Sequence, residues 1–239
     1  GTLYQNQLSA ADPAYLGDHR VFGRPVLPAA AMLEMGLSAA AAEMQDPVAL
    51  EDFFFTDALL LPESQPRPIQ VHLSAPAGDE RTLKVYAQNE SKDWALCASG
   101  GVRRSGSEKT PASGNLAELQ AACSDRIPGS DWYARVNQPD GQNGVTFGAR
   151  FQGIQQIWRK DWEALAELRL GDPRSAAEPY RIHPALLDAA LQPITAALPV
   201  AQAADCYLPF NLGRLQLFAP IPERCWSHVI LAAGQGGID

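Results

Sequence analysis

A histidine near the start of the sequence lies among residue types that suit proton transfer. His19 lies in the stretch DHRVFGRPVLP, and Gly23 and Pro28 follow it closely. Histidine exchanges protons near neutral pH, glycine lets a backbone approach a ligand, and proline suits the start of a helix. We expect a base, a tight turn and a helix N-terminus, whose N–H groups suit an oxyanion, to converge here. A surface loop with structural glycine and prolines is the alternative.

A carboxylate and an amide form the second candidate pair. Asp188 and Gln192 lie four residues apart in IHPALLDAALQPITAAL and therefore share one face of a predicted helix. Burial among leucines and alanines raises a carboxyl pKa, so Asp188 would hold a proton near neutral pH and act as a general acid. Gln192 is spaced to orient it, whereas a structural pair facing a polar seam is the alternative. We expect His183 to be a cap or turn residue.

The remaining candidates are weaker. The stretch GVTFGARFQG, residues 144–153, has three glycines around two phenylalanines but lacks the Gly-Lys-Ser/Thr end of a phosphate-binding loop. His72 and His228 fall in predicted strands, where a structural role is expected. The sequence has neither a G-x-S-x-G elbow nor a G-x-G-x-x-G loop.

Two apolar helices are predicted to position these residues. Strong helix formers fill Ala29–Met44, and three strands with turns between them follow, beginning at Ile69, Thr82 and Trp94. The second helix covers Ile182–Leu198, and Pro193 should end or kink it. Strand-like CYLPF, LGRLQLF and CWSHVILAA come after it. Residues 151–170 fit a helical period about as well as a hairpin.

A polar stretch from Arg103 to Asn115 separates the two groups of elements and is typical of an exposed linker. It divides the chain into an N-terminal half, 1–102, a linker, 103–125, and a C-terminal half, 126–239. Each half has one buried helix and several strands, which predicts an α+β fold.

Composition excludes several classes of protein. The 239 residues carry a formal net charge of -8, which is the wrong sign for a nucleic-acid binder. No apolar stretch reaches the roughly 18 residues of a membrane span, and no secretory signal is present, so we expect no membrane partner. The four cysteines are scattered, which is typical of reduced thiols in a cytoplasmic protein and unlike a structural zinc site.

The motifs resemble those of dehydratase domains in modular type I polyketide synthases. His19, Gly23 and Pro28 match the family's His-x3-Gly-x4-Pro motif, and Asp188 and Gln192 match its Asp-x3-Gln/His motif. GVTFGARFQG and YLPFNLGRLQLF resemble two further regions of the family, and AAAMLEMGLSAA resembles its central helix. The matches run in order over nearly the whole chain.

The resemblance implies a double hotdog fold, in which each half wraps a curved antiparallel sheet around a helix and residues 151–170 form a hairpin. It also implies loss of water from a β-hydroxyacyl thioester on the phosphopantetheine arm of an acyl carrier protein. His19 would be the base and Asp188 the acid, Gln192 would hold Asp188, and N–H groups near Gly23 would stabilise an enolate-like oxygen. No metal or soluble cofactor would be needed. The implied partners are the carrier protein, neighbouring synthase domains and a second copy of the chain.

Some positions depart from the family pattern. Ala29 replaces a glycine, Phe147 before Gly148 replaces a tyrosine, and Ala149 replaces a proline. A double-bond-shifting or pyran-forming relative, or an idle scaffold domain, is therefore an alternative, although the retained Asp188 favours dehydration. The family's His-Pro-Leu-Leu-Gly start and last C-terminal strands are missing, so we expect a chain that is trimmed at both ends or from which disordered parts were left out.

Overall fold

A computed structural model describes residues 1–44, 47–105, 114–137, 144–171, 180–199 and 209–232. The helices in these ranges are α1 (Ala29–Met44), α2 (Leu116–Ala122), α3 (Gly129–Val136), α4 (Pro184–Leu191) and α5 (Pro193–Ala197). The strands of the N-terminal half are β1 (Thr2–Leu8), β2 (His19–Val21), β3 (Arg24–Pro25), β4 (Val48–Phe55), β5 (Arg67–Leu73), β6 (Glu80–Gln88) and β7 (Trp94–Arg104). Those after it are β8 (Asp125–Pro128), β9 (Val145–Phe147), β10 (Ile154–Lys160), β11 (Glu163–Arg169), β12 (Asn211–Gln216) and β13 (Arg224–Ile230).

The first layer is a six-stranded antiparallel sheet that packs on α1. Its strand order is β1-β5-β6-β7-β4-β12. Ile69, Val71 and Leu73 alternate with more exposed residues along β5, so one face of the strand is buried. Helix α1 is buried over most of its circumference, as expected of a helix without a polar face. The predicted helix and the three predicted strands that follow it are confirmed.

The second layer is a four-stranded antiparallel sheet in the order β13-β11-β10-β8. Helices α4 and α5 pack on it. Strands β10 and β11 form the hairpin that the family resemblance implied, and the turn between them places Trp162 at a φ of 72°. Pro193 begins α5 directly after α4, because proline cannot continue the hydrogen-bond ladder of a helix. The predicted interruption of the second helix is confirmed.

The six-stranded sheet contains strands from both predicted halves of the chain. Strand β12 pairs with β4 and so extends the sheet of the N-terminal half. Within the predicted linker, 103–125, β7 continues to Arg104, and α2 and the start of β8 follow residue 114. The described part of that range is therefore largely regular structure, most of it in the helix α2, which Asn115 caps. Residues 106–113 of the linker, and 206–208 of the predicted strand CYLPF, lie outside the described residues.

Helix packing and strand pairing both join the layers. Helices α1 and α4 pack against each other, and a three-stranded sheet in the order β3-β2-β9 pairs strands from both halves. Among the described residues no helix is long and apolar enough to cross a membrane. Cys97, Cys123 and Cys225 are free thiols, and Cys206 lies outside the described ranges.

Candidate active site

The first predicted motif forms a small hairpin. Strands β2 and β3 pair antiparallel around Phe22 and Gly23, whose φ values are 47° and 74°. Two successive positive φ angles are the signature of a type I′ turn, and they explain the glycine. A Cβ added at Gly23 would meet no atom within 4 Å, and the residue is exposed. The expected close approach of this backbone to a ligand stays a prediction. Pro28 precedes α1, and its carbonyl accepts the N–H of Ala31 at 2.9 Å.

The His19 ring is buried and its tautomer is determined by a backbone contact. Its Nδ1 lies 2.9 Å from the carbonyl oxygen of Val26. Because a carbonyl can only accept, Nδ1 must carry the hydrogen of the neutral ring. The other nitrogen, Nε2, is then left with a lone pair. This is the arrangement that a general base requires.

The second predicted motif lies on α4. The helix begins at Pro184, and the His183 side chain accepts the N–H of Ala185, so His183 is a cap, as expected. One turn later Asp188 accepts a hydrogen bond of 2.9 Å on Oδ2 from Nε2 of Gln192. Gln192 itself is buried at the junction of α4 and α5. The amide therefore contacts the carboxyl as the four-residue spacing predicted.

Burial is the largest influence on the protonation of Asp188, and it raises the pKa of the carboxyl. Two smaller effects act in the opposite direction, namely the positive charge that His19 carries when it is protonated and the hydrogen bond from Gln192. The side chain is only partly accessible to solvent. A carboxyl in this environment is suited to hold a proton and release it to a neighbour.

A phenylalanine lies between the two predicted groups. The ring of Phe151 is 5.4 Å from that of His19 between centroids, and its carbonyl accepts Nε2–H of Gln192 at 3.2 Å. Gln192 in turn donates to Oδ2 of Asp188. Phe151 therefore contacts both His19 of the first motif and the amide that binds Asp188 of the second.

Strand pairing brings the glycine-rich stretch 144–153 to the same place. Phe147 pairs with His19 across β2 and β9, and the two rings are 5.8 Å apart. The Gly148 N–H donates to the carbonyl of Asp18 at 2.6 Å. A Cβ at Gly148 would lie 2.6 Å from Cγ of Asp18, so a larger residue would not fit without a shift. Oδ2 of Asp18 also accepts the N–H of Arg150 at 2.9 Å.

Two sequence profiles match the chain over most of its length. The profile described as polyketide synthase dehydratase N-terminal domain matches residues 111–237, and the one described as polyketide synthase dehydratase domain matches residues 1–88. The chain belongs to the polyketide synthase dehydratase family. This is a family of hydro-lyases, which remove water from their substrates.

Individual dehydratases and synthases agree with this membership. Polyketide synthase GfsE of Streptomyces halstedii is 32% identical over 81% of this chain, which spans 5% of that protein. The dehydratase domain from the CurF module of curacin polyketide synthase has a TM-score of 0.89 and is 27% identical, covering 98% of this chain and 84% of its own. The CurK dehydratase has been solved as an inactive Asp→Asn mutant, with a TM-score of 0.85 and 27% identity over 96% of this chain and 81% of its own. Its inactive His→Phe mutant has a TM-score of 0.86 and is also 27% identical, over 97% of this chain and 82% of its own.

These neighbours confirm the double hotdog fold of this dehydratase. The six-stranded sheet with α1 is one hotdog, and the four-stranded sheet with α4 and α5 is the other. The helix of the second hotdog is broken at Pro193, so it is shorter than the single long helix that the resemblance implied.

Helix α3 of the dehydratase contributes two residues that the sequence reasoning missed. The hydroxyl of Tyr133 donates to Oε1 of Gln192 at 2.8 Å. One turn later the Asn137 amide pairs with the Phe147 backbone, accepting its N–H and donating to its carbonyl, each at 2.8 Å. The spacing of the buried residues in α3 is that of an amphipathic helix. That spacing does not show which partners the Tyr133 hydroxyl and the Asn137 amide bind.

The other histidines are held by partners away from this place. Nε2 of His72 lies 3.0 Å from Gln70, and Nε2 of His228 lies 2.9 Å from Glu163, so both have the structural role expected. Within the described ranges, no three His, Cys, Asp or Glu side chains cluster as metal ligands would.

Proposed function

We propose that this dehydratase removes water from a β-hydroxyacyl thioester, with His19 as base and Asp188 as acid. Nε2 of His19 takes the α-proton, and the C–H electron pair becomes the second bond between the α- and β-carbons. The bond from the β-carbon to the hydroxyl breaks as Asp188 gives that oxygen its proton, so one water and an α,β-unsaturated thioester leave. His19 then carries the former α-proton and Asp188 lacks its proton, and proton exchange with solvent restores both groups.

The observation that carries the proposal is that the Nδ1 contact leaves Nε2 of His19 available as an acceptor, while the Asp188 carboxyl is buried. The Val26 carbonyl holds a hydrogen on Nδ1 of His19, which leaves Nε2 free to accept. Burial raises the pKa of Asp188, which favours a carboxyl with a proton to give. An elimination needs both states at once, because the α-proton is weakly acidic and hydroxide is a poor leaving group. The inactivity of CurK dehydratase after a single aspartate or histidine replacement supports roles for these residue types.

The substrate is proposed to be an acyl chain on the phosphopantetheine arm of an acyl carrier protein. This chain spans only 5% of GfsE, a polyketide synthase, so the carrier and neighbouring synthase domains are the proposed partners. Pairing with a second copy of the chain and a cytoplasmic location remain predictions; the free thiols of Cys97 and Cys123 are consistent with that location.

The test is turnover of a purified β-hydroxyacyl pantetheine thioester, followed by mass spectrometry for the loss of one water. We expect His19→Ala and Asp188→Asn each to lower kcat/KM by about 10²- to 10⁴-fold, the usual contribution of general acid–base catalysis. The matched controls are His72→Ala and Asp93→Asn. Both residues are exposed, and neither substitution should change the rate. Wild-type turnover in either active-site variant would refute the assigned roles.

Proton NMR of the product separates the proposed reaction from the alternatives. A plain dehydratase gives an α,β-alkene, a bond-shifting relative gives an alkene further along the chain, and a pyran-forming relative gives a ring. A folded wild-type protein that converts no β-hydroxyacyl thioester, free or carrier-bound, would favour the scaffold.

A further inference from the structure

We propose that Tyr133 is a positioning residue, whose hydroxyl fixes the orientation of the Gln192 amide so that its NH₂ end, and not its oxygen, faces Asp188. This inference rests on the proposed function of Asp188 as the acid. It assigns a task to a tyrosine that neither motif contains.

The hydroxyl of Tyr133 lies inside a closed set of hydrogen bonds. It accepts the backbone N–H of Ile154 at 3.1 Å. Two acceptors are within reach of its single hydrogen, Oε1 of Gln192 at 2.8 Å and the Phe151 carbonyl at 3.2 Å. Because the Ile154 N–H occupies a lone pair, the hydrogen points toward these acceptors, of which Gln192 is the nearer. Burial raises the pKa of the phenol, so the donor is retained.

A side-chain amide has one end that accepts and one that donates. With Oε1 held by Tyr133, the NH₂ group of Gln192 reaches Oδ2 of Asp188 at 2.9 Å and the Phe151 carbonyl at 3.2 Å. Both of these partners are acceptors. If the amide were rotated by half a turn, its oxygen would face the Phe151 carbonyl and the Asp188 carboxyl, and its NH₂ would face the hydroxyl. The structure therefore contains one well-satisfied orientation.

The orientation determines which oxygen of the acid carries the proton. The N–H of Gln192 occupies Oδ2, so the proton of Asp188 is held on Oδ1, where a substrate hydroxyl can take it. In the rotated amide, Oε1 would accept the carboxyl proton and hold it away from the substrate. Without Tyr133 the two orientations become closer in energy, and part of the population has its proton held by Gln192.

The first experiment measures steady-state kinetics of Tyr133→Phe with a β-hydroxyacyl pantetheine thioester. We expect kcat to fall about 10- to 100-fold with KM unchanged, because the phenyl ring remains and only the acid is misplaced. Tyr86→Phe is the matched control, since Tyr86 lies on β6 beside His72, and it should have wild-type kinetics. Wild-type kinetics in Tyr133→Phe would overturn the inference.

A double-mutant cycle with Gln192→Met separates positioning from simple packing. If Tyr133 acts through Gln192, adding Tyr133→Phe to Gln192→Met should lower kcat by less than about 2-fold. Independent, multiplied losses would refute the inference while leaving the proposed function intact. If Tyr133→Phe is too unstable to assay, the cycle is read from urea unfolding. In that measurement, adding Gln192→Met to Tyr133→Phe must recover part of the stability that Tyr133→Phe lost. The reason is that methionine removes Oε1 of Gln192, which no longer has the Tyr133 hydroxyl as its donor.

An infrared titration tests the same point without turnover. The carboxyl C=O band that disappears in Asp188→Asn reports its protonation. Losing the Gln192 donor should move its midpoint upward by about one to two pH units in Tyr133→Phe. Among the described residues, the titratable group that acts on Asp188 from a neighbouring element is His19 on β2, and the charge of Asp188 in turn raises the pKa of Tyr133 on α3. An unmoved midpoint would overturn the inference even if the protein dehydrates nothing, and that inactivity would refute only the proposed function.

Discussion

Replacing Asp188 by asparagine tests whether burial governs the protonation of this carboxyl. The folded state raises the pKa of Asp188 above its ordinary value of 3.8, mainly through burial. Between the unfolded and folded pKa values the folded protein therefore binds more protons than the unfolded chain. Stability must fall as pH rises through that window, by up to about 1.4 kcal/mol per pH unit for one group. Asparagine has no such dependence and still accepts the N–H of Gln192.

The expected result is an inactive variant that is more stable than its parent at neutral pH. The assay is urea unfolding from pH 4 to 8, carried out in a His19→Gln background, which removes the neighbouring positive charge that lowers the pKa of Asp188. The stability gained by Asp188→Asn should be small near pH 4 and grow as pH rises. Asp93→Asn is the control at an exposed carboxyl and should give no such trend. A gain that is flat or decreasing with pH would refute the argument from burial.

Two further substitutions test the scaffold around His19. Asn137→Ala removes both hydrogen bonds to the Phe147 backbone and should lower the free energy of unfolding by about 1–3 kcal/mol, with a parallel loss of kcat/KM. Equal urea midpoints would contradict this. Gly148→Ala places a Cβ 2.6 Å from Cγ of Asp18 and should cost about 1–3 kcal/mol in the same measurement. Gly213→Ala, which meets nothing within 4 Å, should stay within about 0.5 kcal/mol, and similar losses in both glycine variants would refute the steric argument.

Local patterns were enough to predict the elements whose conformation depends on near neighbours. The helix at Ala29–Met44 was predicted with the bounds that the structure shows, because its residues favour a helix and leave no polar face. Proline at 193 predicted the break after α4, since the missing N–H acts on the same turn. The four-residue spacing of Asp188 and Gln192 predicted their contact for the same reason.

Local patterns failed where contacts between distant chain segments determine the local structure. Residues 151–170 fitted a helix and a hairpin alike, and pairing of β10 with both β8 and β11 selects the hairpin. The predicted linker after Arg104 contains α2 and the start of β8, although its composition resembles that of a loop. Strand β12 joins β4 of the other half, and hydrophobic alternation contains no information about such a partner.

The sequence by itself determined the chemical inventory of this dehydratase: one histidine in a turn, and one carboxyl with an amide four residues away on an apolar helix. Only the tertiary structure decided the tautomer, the protonation and the orientation of these groups. The Val26 carbonyl determines the tautomer of His19, burial raises the pKa of Asp188, and the Tyr133 hydroxyl donates a hydrogen bond to Gln192. Each of these effects depends on how the folded chain brings particular atoms together, whether across the short hairpin of His19 or between distant segments, so residue type and spacing could not reveal them.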